Sequence, residues 1–150
     1  MTFSKSFGYA LRGILYVALL REEERKISIE EIAERLSVPR HFLGKVMKSV
    51  VKAGFLSSTR GPQGGFYIND KTLSTPLISI LLLTEGKEYF NSCLLSLRKC
   101  NAANPCPLHD RFDACKKDLM GIYSQTTIEE LLVQDKPDFI KSIATFQQTN

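Results

Sequence analysis

Three cysteines and one histidine lie close together in the second half of this 150-residue chain. Cys93, Cys100, Cys106 and His109 follow the spacing C-x6-C-x5-C-x2-H. Asparagines and prolines between Cys100 and His109 predict a loop that can bring several ligands to one point. Three thiolates and an imidazole can bind zinc in a closed tetrahedral site, or iron in an iron–sulfur cluster. Both remain open, although the lack of a C-x2-C knuckle favours the cluster.

Two apolar segments elsewhere in the sequence bear on whether these cysteines form disulfides. The longest apolar run, Leu77 to Leu83, is interrupted by a serine and is much shorter than the ~20 residues that span a bilayer. The apolar stretch from Ile14 to Leu20 runs into charged residues and not into a cleavage site. We therefore expect a cytoplasmic protein without membrane association, in which clustered cysteines bind metal or carry out redox chemistry. Cys115, in the next helix, is expected to be a buried thiol and not a ligand.

Basic residues concentrate in the other half of the chain. The net charge is +4; residues 1–70 hold 11 Lys/Arg against 7 Asp/Glu, whereas residues 71–150 hold 9 of each. The segment 35–69 contains six basic residues and no acidic one. A polyanion such as nucleic acid is the natural partner of this segment, and a merely solvated basic surface is the alternative.

The pattern of apolar residues places this segment on helices. Apolar residues recur at helical spacing over 7–20 and predict a core helix. Ser28 and Glu31 match a capping box at the start of a second, short helix. Segment 37–39, Ser-Val-Pro, ends that helix and begins a third, because proline disfavours helix at the preceding residue and fits a first helical turn.

The third helix should present basic residues to solvent. Gly54 is a suitable C-terminal cap, and the apolar stripe of the helix is Phe42, Leu43, Val46, Met47 and Val50. Two helices joined by a tight turn, the second with basic residues outward, predict a helix-turn-helix whose second helix enters a major groove.

A glycine-rich hairpin follows directly. Segments 55–59 and 66–68 have strand propensity, and 60–65 is dense in turn formers. Such a hairpin after a recognition helix makes a wing, and Arg60 at its edge could enter the minor groove. A phosphate-binding nucleotide loop is a poor alternative, since the glycines open no helix and no lysine follows them.

The expected DNA contacts lie at the start of the second helix, on the third helix and in the wing. They are Ser28, Pro39, Arg40, His41, Phe42, Lys45, Lys48, Arg60, Gly61 and Gly64. Lys48 is expected to touch phosphate, which strengthens binding without reading sequence. The alternatives are a surface histidine at His41, a core position for Phe42, and glycines that serve hairpin geometry alone.

The remaining helices predict a way to assemble. Thr75 and Pro76 open a short apolar helix, as N-cap and first residue, that ends near Gly86. An amphipathic helix follows His109, and Thr127 begins a further helix with a second capping box. A long helix outside a small domain needs an apolar partner, and the same helix of a second subunit is the most economical one.

Taken in order, the first helix, the helix-turn-helix, the wing sequence RGPQGGF at 60–66 and the cysteine loop resemble the IscR/NsrR-type (Rrf) family of bacterial winged-helix transcription regulators, over residues 3–135. The resemblance implies a homodimeric repressor or activator, with repression favoured here. It would bind a palindromic double-stranded operator, and its DNA affinity would respond to an iron–sulfur cluster. Iron–sulfur status, redox state and nitric oxide are the signals that it implies.

The resemblance also implies a ligand set. In the iron–sulfur biogenesis branch, the positions of Cys93, Cys100, Cys106 and His109 hold a 2Fe-2S cluster, which is favoured over 4Fe-4S. Other branches use a carboxylate in the first helix of the partner subunit; the matching position here is Gly8, which has no donor atom and so favours His109. The family's first cysteine gap is often five residues, whereas it is six here.

We therefore expect a mainly α fold with a small β-hairpin. Residues 1–86 would form the winged helix-turn-helix domain, 87–109 the cluster-binding loop, and 110–150 the dimerisation helix and tail. One alternative is a winged-helix regulator without a cluster, controlled by a partner protein, thiol oxidation or zinc. A second is a zinc-stabilised protein-interaction module. An enzyme is not expected, because the chain has only two histidines and no nucleophile motif around any cysteine.

Overall fold

In a computed structural model, which describes residues 3–134, six α-helices and one two-stranded hairpin form a single core. The elements are α1 (Lys5–Leu19), α2 (Ile29–Leu36), α3 (Arg40–Lys52), β1 (Ser57–Thr59), β2 (Gly65–Tyr67), α4 (Leu77–Glu85), α5 (His109–Gln125) and α6 (Ile128–Val133). This confirms the expected mainly α fold with a small hairpin. The predicted tail beyond residue 134 lies outside the described residues. None of the described helices is long and apolar enough to cross a membrane.

Helix α1 runs through the centre of the core, as its apolar spacing predicts. Ser4 caps it by accepting a hydrogen bond from the Phe7 amide, and Ala10 and Ile14 are fully buried. A Cβ atom on Gly13 would lie 2.6 Å from the Met47 sulfur of α3. Because glycine has no side chain there, α1 and α3 can pack closely.

The two predicted capping boxes differ. At Thr127, the hydroxyl accepts from the Glu130 amide, and the Glu130 carboxylate accepts from the Thr127 amide. At Ser28, the hydroxyl accepts from the Glu31 amide at 3.2 Å, but the Glu31 carboxylate bonds elsewhere. The reciprocal half of the Ser28 box is therefore wrong, because a buried tyrosine and an arginine compete for that carboxylate.

The hairpin is antiparallel and is tied to the chain ahead of α2. Ser57 pairs with Tyr67, and Thr59 pairs with Gly65. Ile27 exchanges two backbone hydrogen bonds with Phe66, of 2.9 and 2.8 Å. The wing is thereby joined to the segment that leads into the helix-turn-helix.

The start of α4 differs from the prediction. Pro76 is the N-cap and the helix begins at Leu77, while the Thr75 hydroxyl donates to the Lys71 carbonyl at 2.9 Å. Thr75 therefore closes the preceding turn instead of capping the helix.

Helix α6 returns to the core beside this point. The Ile128 amide donates to the Thr75 carbonyl at 3.1 Å, and the Leu77 amide donates to the Thr126 carbonyl at 2.9 Å. The Ile128 side chain is fully buried. The C-terminal end of α5 is thus fixed to the core by the residues that follow it.

Candidate DNA interface and cysteine site

A tight turn places α3 relative to α2. Ser37 adopts a left-handed conformation with φ 52° and donates its amide to Glu34, while the Val38 amide donates to Ala33 at 3.0 Å. These bonds satisfy the last carbonyls of α2, and Pro39 then stands at the N-cap of α3. The Ser-Val-Pro sequence therefore forms the turn of the predicted helix-turn-helix.

The buried face of α3 leaves its basic face open. Leu43, Met47 and Val50 are fully buried, as the apolar spacing predicts. After Lys52 the chain turns at Gly54, which has φ 82°, and the Phe55 amide donates back to Val50 at 3.1 Å. Gly54 thus ends α3 as predicted, and the hairpin follows at once.

A groove of about 1200 Å³ lies between α3, the start of α2 and the hairpin. Eight of the ten residues predicted to contact DNA line it: Ser28, Arg40, His41, Lys45, Lys48, Arg60, Gly61 and Gly64. Residues 36 positions apart in the sequence are therefore brought to one surface. That surface carries four basic side chains, which suits a polyanion.

Three of these eight residues have a clear structural role as well. Ser28 caps α2. Gly61 has φ 103°, and a Cβ on Gly64 would lie 2.3 Å from the Thr59 carbonyl oxygen. Gly61 thus adopts a backbone conformation that other residues rarely adopt, and Gly64 leaves room that a larger residue would fill, which agrees with a role in hairpin geometry.

Phe42 does not belong to the core. The helical spacing predicts it in the apolar stripe of α3, but it is 57% exposed and contacts the His41 ring edge-on at 5.7 Å between centroids. The stripe is narrower than the spacing indicates, because Leu43, one position later, fills the inward direction. An exposed aromatic ring is therefore available beside the groove.

An acidic residue in the groove was not predicted. Glu30, in the first turn of α2, contacts Arg40, the first residue of α3, with 2.6 Å between Oε1 and Nη2. Both side chains are more than half exposed. An acidic residue in a first helical turn is usually explained by its interaction with the helix dipole. The sequence alone therefore gives little sign that Glu30 also lines the groove.

A second network, also not predicted, joins α1 to the start of α2. The Tyr16 hydroxyl donates to Glu31 at 2.9 Å, and the Arg25 guanidinium donates to both carboxylate oxygens of Glu31, at 2.7 and 2.8 Å. The hydrogen bonds from Arg25 and then from Tyr16 hold the pKa of Glu31 below its usual value, against the effect of burial. Burial and then the Glu31 carboxylate raise the pKa of Tyr16 to about 12.

The cysteine loop brings its three predicted thiols together. The sulfur atoms of Cys93, Cys100 and Cys106 all lie within 4.8 Å of one another, and those of Cys93 and Cys106 are 3.9 Å apart. His109, the first residue of α5, places its Nδ1 3.3 Å from the Cys100 sulfur. A bend from Asn101 to Asn104 closes the loop. The loop predicted from the asparagines and prolines therefore brings the three thiols to one point, as expected.

The thiols have different electrostatic surroundings. Backbone amides, first that of Leu97, lower the pKa of Cys93. The Cys106 amide, which donates to the Cys100 sulfur at 3.3 Å, favours the Cys100 thiolate. Burial and the neighbouring thiols outweigh that amide, so that the pKa of Cys100 is raised. A positive charge at the centre of the group would favour all three thiolates.

Cys115 was expected to be buried, and that prediction is wrong. Its thiol is exposed on α5, and it does not belong to the group of three close cysteines. No residue of α5 is buried, so the fold does not enclose this thiol. Cys115 therefore lies outside the candidate metal site.

The sequence of this chain also matches a known protein family. The family model Rrf2, described as an iron-dependent transcriptional regulator, matches residues 3–134. This chain belongs to the Rrf2 family. It is a winged-helix transcriptional regulator, and the resemblance stated from the sequence is confirmed. Since the family and its curated relatives are transcriptional regulators, the expectation that the chain is not an enzyme is also confirmed.

Individual relatives agree with this chain in sequence. An HTH-type transcriptional regulator of Aquifex aeolicus is 35% identical over 134 residues, which are 88% of this chain and 92% of that protein. The regulator NsrR of Geobacillus kaustophilus is 33% identical over 102 residues, 67% of this chain and 64% of NsrR.

Solved structures share the architecture at lower identity. CymR, the global cysteine regulator of B. subtilis, superposes with a TM-score of 0.72 at 20% identity, over 91% of this chain and 99% of CymR. IscR of T. potens gives a TM-score of 0.68 at 20% identity, over 94% of this chain and 96% of IscR. These two structures confirm the fold of this chain.

Proposed function

We propose that this Rrf2-family chain is a homodimeric, sequence-specific DNA-binding repressor of the cytoplasm, controlled by an iron–sulfur cluster. The groove between α3 and the wing carries the proposal, because it gathers Arg40, Lys45, Lys48 and Arg60 on one surface. The proposed roles of the segments are those expected from the sequence. Residues 1–86 would bind DNA, residues 87–109 would hold the cluster, and residues 110–150 would form the dimer.

Docking follows the usual winged-helix arrangement. Helix α3 would enter the major groove with its N-terminal residues nearest the base edges, and Arg60 of the wing would reach the minor groove. Lys45 and Lys48 would contact phosphates. In a twofold dimer, the two recognition helices would bind half-sites of a palindrome about one helical turn, ~34 Å, apart.

Helix α5 supports the dimer. Ile122 and Met120 are 61% and 39% exposed, although both are large apolar side chains. Two copies of α5 can cover these side chains around a twofold axis, since an isologous interface uses the same surface of both subunits. Size-exclusion chromatography with light scattering should give a dimer, and Ile122→Glu should weaken it.

The donor set fits a metal centre. Three thiols within 4.8 Å of one another supply soft ligands, and a cavity of about 230 Å³ adjoins Cys93, Cys106 and His109. The Nδ1 atom of His109 is a nitrogen donor beside Cys100, although it is not part of the mutually close group of three. The family description is iron-dependent, and the ligand positions resemble those of the 2Fe-2S branch. When bound, such a cluster supplies a redox-active group that oxidants and nitric oxide attack.

The chain offers a contact route from this loop to α3. His109 begins α5, and Lys116 of α5 donates to the Ser92 carbonyl beside Cys93. At the other end of α5, the Tyr123 ring lies 6.0 Å from that of Phe7 in α1, between centroids. Helix α1 in turn packs on α3 where Gly13 faces Met47. A loop with a ligated and a released arrangement can thus bias the recognition helices; a coupling of about 1–3 kcal/mol gives a 5- to 150-fold change in affinity.

Zinc is the second candidate at the same site. Ligands of a tetrahedral ion with Zn–S bonds of ~2.3 Å lie ~3.8 Å apart, and the Cys93 and Cys106 sulfurs are 3.9 Å apart. Two thiolates on one tetrahedral iron lie about as far apart, so this distance suits zinc and an iron–sulfur cluster alike. Zinc would make the loop structural and would leave the control of DNA binding to a partner protein or to thiol oxidation.

The DNA proposal is tested by electrophoretic mobility shift and fluorescence anisotropy on the chain's own promoter region. Lys48→Ala should lower the slope of log K against log salt by ~0.9 per protomer, hence ~1.8 per dimer. Arg60→Ala should weaken binding. Lys87→Ala, an exposed lysine outside the groove, is the matched control. Unchanged binding in both groove variants would contradict this docking mode.

The metal proposal is tested on protein purified without oxygen. Visible absorption and bound iron are expected for the wild type and for Cys115→Ala, and their loss is expected for Cys106→Ala. His109→Ala should shift the absorption spectrum because it removes the single nitrogen ligand. Stoichiometric zinc without colour supports the second candidate, and no metal after reconstitution excludes both.

A further inference from the structure

Glu30 is the only acidic residue among the described residues that line the groove. Four basic residues, Arg40, Lys45, Lys48 and Arg60, line the same groove. A carboxylate on a surface that binds phosphates weakens that binding by charge repulsion. The presence of Glu30 is therefore not explained by affinity for the DNA backbone.

Stability explains Glu30 only in small part. Its carboxylate contacts Arg40 at 2.6 Å, but the two side chains are 60% and 64% exposed. Exposed ion pairs of this kind, like exposed acids in a first helical turn, contribute little to folding. The pair is thus accessible to a ligand. It places a hydrogen-bond acceptor, the Glu30 carboxylate, beside a hydrogen-bond donor, the Arg40 guanidinium, in the groove.

Both members of the pair have well-defined backbone positions. Glu30 is in the first turn of α2, which Ser28 caps, and Glu31 beside it is bonded to Tyr16 of α1. Arg40 is the first residue of α3, immediately after the turn. The first residues of a recognition helix are those that contact base edges in helix-turn-helix proteins.

The pair matches one base pair in chemistry and in spacing. In the major groove, guanine presents the acceptors N7 and O6, and cytosine presents the N4 amino donor. Guanine O6 and cytosine N4 are hydrogen-bonded to each other, so they lie ~2.9 Å apart. The Arg40 and Glu30 atoms are 2.6 Å apart. The guanidinium has five N–H donors, so Arg40 can keep its contact with Glu30 while it binds guanine.

We propose that Glu30 and Arg40 together read one G·C pair in each half-site, with Arg40 donating to guanine and Glu30 accepting from the cytosine amino group. This inference rests on the proposed DNA-binding function. Glu30 would then be a specificity residue: it lowers the affinity for DNA in general and raises the discrimination at one position.

The test starts from a pool of duplexes with a randomised core, because the operator is not known. Wild type, Glu30→Gln and Glu34→Gln are each used to select duplexes. Glu34 is an exposed acid of the same helix outside the groove, so that its variant makes the same charge change without touching Arg40. Urea midpoints of the three proteins should agree, since both positions are exposed.

Wild type and Glu34→Gln should enrich the same palindrome, with one G·C pair per half-site that Glu30→Gln requires less strictly. On the duplex selected by wild type, replacing that pair with A·T should cost wild type about 5- to 10-fold in affinity per half-site, and Glu30→Gln only about 2- to 4-fold, because Arg40 still donates to guanine in this variant. Replacing guanine with inosine should cost neither protein anything, because inosine changes only the minor-groove edge.

Three results would overturn the inference. Glu30→Gln could select the same sequence with undiminished discrimination, it could bind every duplex more tightly by one common factor, or the inosine duplex could bind as weakly as the A·T duplex. Each leaves the proposed function intact. Failure of wild type to enrich any sequence would instead contradict the proposed function itself.

Discussion

Tyr16→Phe tests the network that joins α1 to the start of α2. Tyr16 is 7% exposed, and its hydroxyl donates to Glu31 at 2.9 Å. Phenylalanine fills nearly the same volume, and Glu31 keeps both contacts with Arg25, so no buried charge loses its last partner. Hydrogen bonds to charged groups contribute about 1.5–3 kcal/mol. Because the Glu31 side chain is 27% exposed to screening solvent, we expect a loss of about 1–1.5 kcal/mol at neutral pH.

The same bond makes this loss depend on pH. Burial and the Glu31 carboxylate raise the pKa of Tyr16 from 10.0 to about 12. The unfolded chain therefore loses the Tyr16 proton near pH 10, whereas the folded chain keeps it to about pH 12. The contribution of Tyr16 is complete below pH 10 and is lost as the pH rises from 10 to 12. Two pKa units correspond to ~2.7 kcal/mol before screening, and about half of that is expected here.

Urea unfolding followed by far-UV circular dichroism, between pH 7 and 11.5 and at one protomer concentration, measures both effects. Wild type and Tyr16→Phe should differ at pH 8 and converge above pH 11. Tyr9→Phe removes a hydroxyl from the same helix without touching Glu31 and is the control. A difference that stays constant from pH 8 to 11.5, or an equal loss in Tyr9→Phe, would refute the reasoning.

Three further predictions use the same unfolding assay. Ile128→Ala should lower the free energy of unfolding by about 2–5 kcal/mol because its side chain is fully buried; an effect below 0.5 kcal/mol would contradict the packing of α6. Thr127→Ala should cost about 0.5–2 kcal/mol through loss of the cap, whereas Thr127→Ser should cost little; equal losses would show that the methyl group matters and not the hydroxyl. Glu31→Gln should flatten the acid limb, because hydrogen bonds from Arg25 and Tyr16 lower the pKa of Glu31, so that its contribution is present above its usual pKa and is lost on acidification. An unchanged acid limb would count against that network.

Elements with strong local signals could be predicted from sequence. Ser37-Val38-Pro39 determines a turn because a left-handed residue and a proline both end helices, and Gly54 ends α3 for the same kind of reason. The cysteine loop was predictable because its ligands and its turn residues lie within 17 positions. These signals act over a few residues and depend little on the rest of the fold.

Features that depend on the neighbouring element were missed. Phe42 and Cys115 occupy apolar positions of amphipathic helices, but what covers each face is decided by the packing of α1 and α4. Glu31 has the right residue type for a capping box, yet Tyr16, fifteen positions away, takes its carboxylate. Helical spacing alone shows which residues share a face and not how wide the covered part of that face is.

The two ends of α5 are held differently, and this limits how the helix can move. Its last turn is joined to the core, since the Thr126 carbonyl accepts from Leu77 and Ile128 is buried just beyond it. Its first turn begins at His109, in the cysteine loop. A rearrangement of that loop would therefore displace the His109 end of α5 more than the end near residue 126. In the proposed symmetric dimer the two copies of α5 would lie side by side, so that a change at one cysteine site would affect the position of both recognition helices.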